Sequence, residues 1–347
     1  MKKSLIALAV LAASGASMAQ SSVTVYGLVD AYVGHTSKTD VAGVAGVKTS
    51  QNVVGSAGAN NSRWGLRGSE DLGNGLKANF VLENGFTTDD GAQAGTSLFG
   101  RQAFVGLSGG FGAVTLGRQY TAYFALRTAT NNQYDTNMAT TDTVWKNGVA
   151  DYTPRSDNSI AYASPVLNGF SGAVVLGLGE NKIAATPAVD ATKNHSLHIK
   201  YANGPLLVGY AYQIENSQTV GVNGQNKQYN LIAGSYDFGV AKLTAGFNTA
   251  KQYAGAKAKK DKEFQAGVSV PFGAAAVSAG YSYSKTNDGT ATTADSKGSG
   301  FSLLGTYSLS KRTTLYAGVA TTKVEAVSKT TDPYKTTTAG VGVRHTF

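Results

Sequence analysis

The chain has 347 residues, 43 of them glycine and 18 tyrosine, with six prolines and no cysteine, and 30 basic against 21 acidic side chains leave a formal charge of +9. The lack of cysteine excludes disulfides, thiolate chemistry and cysteine-ligated zinc. After residue 19 no apolar run approaches the roughly 18 residues that a spanning helix needs, and no segment carries a convincing helical period.

Met1–Ala19 joins Lys2 and Lys3 to the apolar run Leu5–Ala13 and then to small residues through Ser17, Met18 and Ala19. This reads as a secretory signal peptide, 1–19, cleaved before Gln20. The two signal lysines take the net charge to +7 for a single domain at 20–347, which no linker or shift in composition divides.

From there the hydrophobic period is two. Leu76, Ala78, Phe80 and Leu82 alternate with Lys77, Asn79, Val81 and Glu83, and Leu197, Ile199 and Tyr201 alternate with Ser196, His198 and Lys200. The same holds for Val208, Tyr210, Tyr212 and Ile214, for Phe264, Ala266, Val268 and Val270, and for Val277, Ala279, Tyr281 and Tyr283. In strands, alternate side chains take opposite faces, so each run has one apolar and one polar side. In chain order the predicted strands lie near 23–34, 60–69, 75–85, 98–107, 111–118, 156–164, 169–178, 195–202, 205–214, 227–237, 240–249, 262–270, 273–284, 299–309, 313–323 and 336–347.

Short turns such as "EDLGNG", "SGGF", "ANGP" and "VPFG" alternate with long polar stretches at 35–59, 86–97, 119–155 and 285–298. This describes an antiparallel up-and-down meander. A sheet of sixteen strands left open would expose its edges, and closure removes them. A closed barrel of that size is too wide for side chains to fill its centre, so its polar face lines water and its apolar face meets lipid. The fold class expected is all-β: a closed 16-stranded antiparallel transmembrane β-barrel. Its last strand, ending at Phe347, pairs with the first, and the aromatic end sits at the membrane interface.

Several segments resemble the general porins of Gram-negative outer membranes, the trimeric sixteen-strand type. They are "SSVTVYGLVDAY" at 21–32, "SRWGLRGSEDLGNGLKANFVLE" at 62–83, "FGRQAFVGLSGGFGAVTLGRQY" at 99–120, "NSIAYASP" at 158–165, "YSLSKRTTLYAGV" at 307–319 and "GVGVRHTF" at 340–347. The resemblance implies passive diffusion of small hydrophilic solutes and ions, a homotrimer in outer-membrane lipid, and a third loop folded into the lumen. It also implies a terminal aromatic, Phe347, read by the barrel-assembly machinery. The long third loop is present from Gln119 to about Arg155, but the family's Pro-Glu-Phe-Gly-Gly signature is not, so its tip has no motif to mark it.

The family places a basic cluster on the barrel wall opposite an acidic third loop. Arg63 in "NSRWG", Arg101 in "FGRQA" and Arg155 in "PRSDNS" match the cluster. Parity turns Arg63 inward, away from Trp64 and Leu66, and sets Arg155 opposite Ile160 and Tyr162; for Arg101 parity is ambiguous and the resemblance alone assigns it. Lys77, inward by parity, joins them as a candidate. Asp135, Asp142 and Asp151 on the loop, with Asp157 just beyond it, supply the facing charge. Facing fixed charges in a constriction select ions, and the basic excess points to a modest preference for anions. The first five strands alternate less cleanly than those near 195–214 and 262–284, which marks them as the trimer contact.

No catalytic residue, cofactor or metal is expected. "GLSGG" around Ser108 and "SLSK" at 308–311 match nucleophile motifs, but both sit in strand-to-strand turns without the helix that such motifs need. His195 and His198 fall on opposite faces of one strand. "KAKKDK" at 257–262 reads as a charged loop, and with no basic stretch interleaved with aromatics nucleic acid is not an expected partner. The rival function is a substrate-specific channel on the same barrel. The third loop's Tyr120, Tyr123, Phe124, Tyr134, Trp145 and Tyr152 would then form an aromatic track.

Overall fold

A computed structural model describes residues 22–39, 47–131, 136–145, 151–180, 192–219, 222–254, 257–287, 296–325 and 334–347. The signal segment 1–19, Tyr134 and Asp135 lie outside the described residues.

The alternating runs fold as strand after strand. In chain order they are β1 (Ser22–Thr39), β2 (Lys48–Ser56), β3 (Arg63–Gly73), β4 (Leu76–Gly85), β5 (Gln102–Gly109), β6 (Gly112–Tyr120), β7 (Arg155–Ala163), β8 (Phe170–Gly177) and β9 (Lys193–Asn203). There follow β10 (Leu206–Thr219), β11 (Val222–Asp237), β12 (Lys242–Ala254), β13 (Lys257–Phe272), β14 (Ala275–Asn287), β15 (Ser296–Ser308), β16 (Thr313–Glu325) and β17 (Tyr334–Thr346). From β3 onward each pairs antiparallel with the next. β17 returns to β1 from Leu28↔Thr346 to Thr39↔Lys335, which closes the sheet. β2 and β3 both pair with β1, along its upper and lower halves, so they are two segments of one strand and the barrel has sixteen strands.

The interruption of that second strand has a visible cause. Ala31 pairs with Ser56 and Leu28 with Arg63, so residues 57–62 face only Val29 and Asp30 and must bulge inward. Ala57 turns the chain with a φ of 63°. The fully buried Asp30 carboxylate then accepts the N–H groups of Gly58 at 2.9 Å, Ala59 at 3.1 Å and Asn60 at 2.8 Å, and the Tyr316 hydroxyl at 2.5 Å. Backbone N–H groups that have lost their ladder partners need such an acceptor.

The outer face is apolar around the barrel, with Val105, Leu116, Ile160, Ile199, Ile232, Phe301 and Val341 all exposed on it. The opposite face carries Gln213, Asn248, Glu263 and Ser282. At the closure Gly27 and Phe347 exchange backbone bonds of 3.0 and 3.1 Å, and the Phe347 ring lies over the space a side chain at Gly27 would fill.

Two expectations change. The long stretch 35–59 is largely strand, since β1 runs on to Thr39 and pairs with β2. Likewise "KAKKDK" is the start of β13 rather than a loop. These extensions stand above the apolar belt, where polar residues occupy both faces and the backbone still pairs. Hydrophobic alternation fades there while the ladder continues.

The third loop turns into the barrel. α1 (Ala122–Ala129) starts at Thr121, whose hydroxyl accepts the Phe124 N–H at 3.2 Å, and α2 (Thr141–Trp145) follows. Inward-facing strand residues hold both. Ser196 accepts the Ala122 N–H at 2.9 Å, His198 bonds the Ala122 carbonyl at 2.8 Å, and Asn248 accepts the Tyr123 hydroxyl at 2.8 Å. Gln265 donates to the Thr130 carbonyl at 3.1 Å, and Ser282 bonds Thr140 and Thr141. Tyr123, Leu126, Val144, Trp145 and Tyr152 pack with Tyr229, Leu231 and Ala233 in a buried apolar cluster. The loop thereby covers the β9–β15 side of the lumen and leaves the β3–β6 side open.

Candidate pore constriction

Glu83 is the centre of the open side. β4 runs inward-facing at Glu83, paired with Gly65, over which the Tyr26 ring lies. Arg101, just before β5, donates its Nε to Glu83 Oε1 at 2.8 Å, and the Arg63 Nε stands 3.9 Å from Oε2. The Tyr26 hydroxyl donates to Oε2 at 2.9 Å. A guanidinium nitrogen of Arg101 also reaches the Tyr120 hydroxyl at 2.6 Å, and Arg155 donates to the same oxygen at 3.3 Å with its guanidinium 4.8 Å from the Tyr120 ring centre. Three arginines thus gather around one carboxylate and one tyrosine, leaving a local excess of two positive charges.

Arg101 is held from the loop side as well. Its N–H bonds the Glu83 carbonyl at 3.1 Å. In the preceding loop Asp90 accepts the Thr87 hydroxyl at 2.5 Å and the Ala92 N–H at 2.9 Å, bonds that hold its carboxyl below the usual carboxylate range.

This wall borders a cavity of about 740 Å³. Phe124, Ala125, Thr128, Asn131 and Thr136 of the loop form the opposite side, and Thr306, Thr314 and Arg344 close the third. Arg344, on the inner face of β17, donates to Asn60 Oδ1 at 2.6 Å, on the inward bulge that Asp30 holds. The described loop residues along the cavity are neutral.

Arg63, Arg101 and Arg155 therefore come together, while the other candidates do not join them. Lys77 shares the face of Glu83 but lies beside the short turn, paired with Asp71 and Ser108. Six residues of strand put it roughly 20 Å from Glu83, because parity sets the face and not the height. Asp142 stands 3.7 Å from Arg127, which is 2% exposed and lies between the Trp145 and Tyr152 rings, 4.7 Å from each. Its charge is answered within the loop. Asp151 is exposed beyond α2, its carbonyl taken by the Tyr229 hydroxyl, and Asp157 pairs with Arg118.

The aromatic track dissolves for a similar reason. Tyr123, Trp145 and Tyr152 are at most 2% exposed inside the loop's own core. Phe124, stacked on Tyr120 with ring centres 4.7 Å apart, faces the cavity. Sequence reasoning missed Glu83, Tyr26 and Arg344 as members of the site. Inward parity on β4, β1 and β17 was their signal, but it gave no height along the pore.

The description "Gram-negative porin" matches residues 5–326 of the chain. Outer membrane porin protein 32 of Delftia acidovorans is 36% identical over all of both chains, and an outer membrane porin protein of Bordetella pertussis is 33% identical, again over all of both. Among solved structures, the anion-selective porin from Comamonas acidovorans superposes with a TM-score of 0.79 at 29% identity, covering 94% of this chain and 100% of that one. The trimer form of OmpT from Vibrio cholerae, 16% identical, shares the fold with a TM-score of 0.67 over 94% of this chain and 99% of that one. With the sequence match spanning nearly the whole chain and the barrel closed around a charged passage, this chain belongs to the Gram-negative porin family and forms a passive pore in the outer membrane.

Proposed function

We propose that the pore passes small hydrophilic solutes and ions with a modest preference for anions. The observation that carries this reading is the grouping of Arg63 and Arg101 on the carboxylate of Glu83, with Arg155 joined to Arg101 through the Tyr120 hydroxyl, opposite a neutral loop face. Fixed charges at a narrow aqueous passage raise the local concentration of the opposite ion. The anion-selective relative from Comamonas acidovorans supports the same sign. The test is the reversal potential of the wild-type pore in a planar bilayer under a potassium chloride gradient. An anion-selective potential that weakens as salt rises is expected, and a cation-selective one overturns the reading.

The same reading includes a homotrimer joined through the first five strands of the barrel, β1–β6, whose apolar/polar alternation is less clean than that of β9, β10, β13 and β14. The OmpT trimer of the same fold supports the assembly. It further takes 1–19 as a cleaved signal, 20–347 as the barrel, and Phe347 as the residue that the barrel-assembly machinery reads.

A further inference from the structure

The seam where the barrel closes sets two opposite charges side by side and then keeps them apart. Asp30 on β1 and Arg344 on β17 are register partners. Both point inward, since Val29 and Val33 of β1 and Val341 and Val343 of β17 are exposed on the outer face. Opposite charges directly across a sheet ordinarily pair. Here each takes other partners. The fully buried Asp30 carboxylate accepts the Gly58, Ala59 and Asn60 N–H groups of the inward bulge and the Tyr316 hydroxyl. The Arg344 guanidinium donates to Asn60 Oδ1 at 2.6 Å and to Thr314 Oγ1 at 3.3 Å, and it lines the cavity.

The bulge is what separates them. Both of its ends are tied to the Asp30 backbone. The Ala57 N–H donates to the Asp30 carbonyl at 3.4 Å, and Ser62 Oγ accepts the Asp30 N–H at 2.9 Å. Its carbonyls face the third loop, where the Asn137 N–H meets the Ala57 oxygen at 2.9 Å and the Met138 N–H meets the Gly58 oxygen at 3.3 Å. The N–H groups that follow turn back to Asp30. Buried backbone donors need an acceptor, and a carboxylate is a stronger one than a neutral oxygen. A side-chain ion pair half in water gains little from its attraction. The carboxylate therefore goes to the bulge, and Asn60, the last of the three donors, presents its side chain to Arg344.

We infer that Asp30 and the bulge are a positioning device: they set the acid of this pair back from water and hold its base, Arg344, forward in the passage. Resting on the anion preference proposed above, the device makes selectivity depend on backbone hydrogen bonds as well as on the number of charges. An ion passing about 8 Å from the guanidinium at 0.1 M salt feels this one charge as about a two-fold difference between anion and cation. If the bulge lets go, Arg344 draws back to its register partner, Asp30 moves forward, and the advantage of the anion shrinks.

The experiment uses the assembled protein and two readouts. Asn60→Pro removes one N–H that Asp30 accepts and the side chain that Arg344 uses, and it changes no charge. In a planar bilayer at about 0.1 M salt, Arg344→Gln should lower the anion-to-cation ratio at least about two-fold, and Asn60→Pro at least about 1.3-fold. A ratio unmoved by either variant, in a pore that is anion-selective as wild type, overturns the inference alone. A cation-selective wild type overturns the anion reading on which it rests. The second readout is phenylglyoxal labelling of arginines, read by peptide mass spectrometry, with exposed Arg312 in the turn between β15 and β16 as the internal reference. Wild-type Arg344 should be labelled, whereas Arg127, 2% exposed, should not. In Asn60→Pro the Arg344 rate should fall several-fold relative to Arg312. An Arg344 as unreactive as Arg127 in the wild type, a result that needs no variant to assemble, overturns the inference, and so does an unchanged rate in Asn60→Pro.

Discussion

Arg101→Ser removes one charge from the cavity wall without removing its neighbours. The substitution breaks the 2.8 Å contact to Glu83 and the 2.6 Å bond to Tyr120. The local excess then falls from two positive charges to one. An ion passing about 6 Å from the guanidinium in water interacts with it by about 0.7 kcal/mol. At 0.1 M salt, with a Debye length of about 10 Å, roughly 0.4 kcal/mol survives screening. The term has opposite signs for anion and cation, so their difference changes by about 0.8 kcal/mol and the anion-to-cation permeability ratio falls about four-fold. At 1 M, where the Debye length is about 3 Å, the same arithmetic gives less than about 1.5-fold. Lys77→Ser removes an equal charge roughly 20 Å from Glu83 and should change the ratio by only about 1.1-fold at 0.1 M. The assay is the reversal potential in a planar bilayer under a salt gradient, repeated at low and high mean salt. A ratio unmoved by Arg101→Ser, or moved equally by Lys77→Ser, would falsify the assignment of Arg101 to the passage.

Glu83→Gln removes the balancing carboxylate and should raise the anion-to-cation ratio about as much as Arg101→Ser lowers it, up to about four-fold at 0.1 M; a fall in the same recording contradicts the charge account. Asp30→Ala leaves the N–H groups of Gly58, Ala59 and Asn60 without their acceptor, at about 1–3 kcal/mol each, so the folded barrel should convert on semi-native gels at a clearly lower temperature, and an unchanged transition speaks against the role given to Asp30. Deleting Phe347 removes the two closing bonds to Gly27 and should lower outer-membrane yield more than deleting 287–296, most of which lies outside the described residues; equal yields contradict it. The detergent-extracted protein should have the mass of a trimer, and a monomer with normal conductance would refute assembly through β1–β6.

Strand number, the meander and the closing pair were legible in the sequence because a barrel wall writes a period of two into every strand that separates water from lipid. Arg63 could be turned inward from Trp64 and Leu66 alone, since each neighbour in a strand has only two faces to take. That rule says nothing about height or about partners across the barrel. Lys77 and Glu83 have the same parity, yet one lies at the turn and the other among the arginines. Nor could the sequence show that Asp142 spends its charge on Arg127, or that Tyr123, Trp145 and Tyr152 bury themselves against β11. Those contacts join separate segments of the chain. They exist only because closure of the sheet brings β4, β6 and β7 around one cavity and folds the third loop against the other side. Patterning across two faces decided the barrel; which charges meet inside it was decided by three-dimensional packing, where the distance between groups, and not their order, sets the electrostatics.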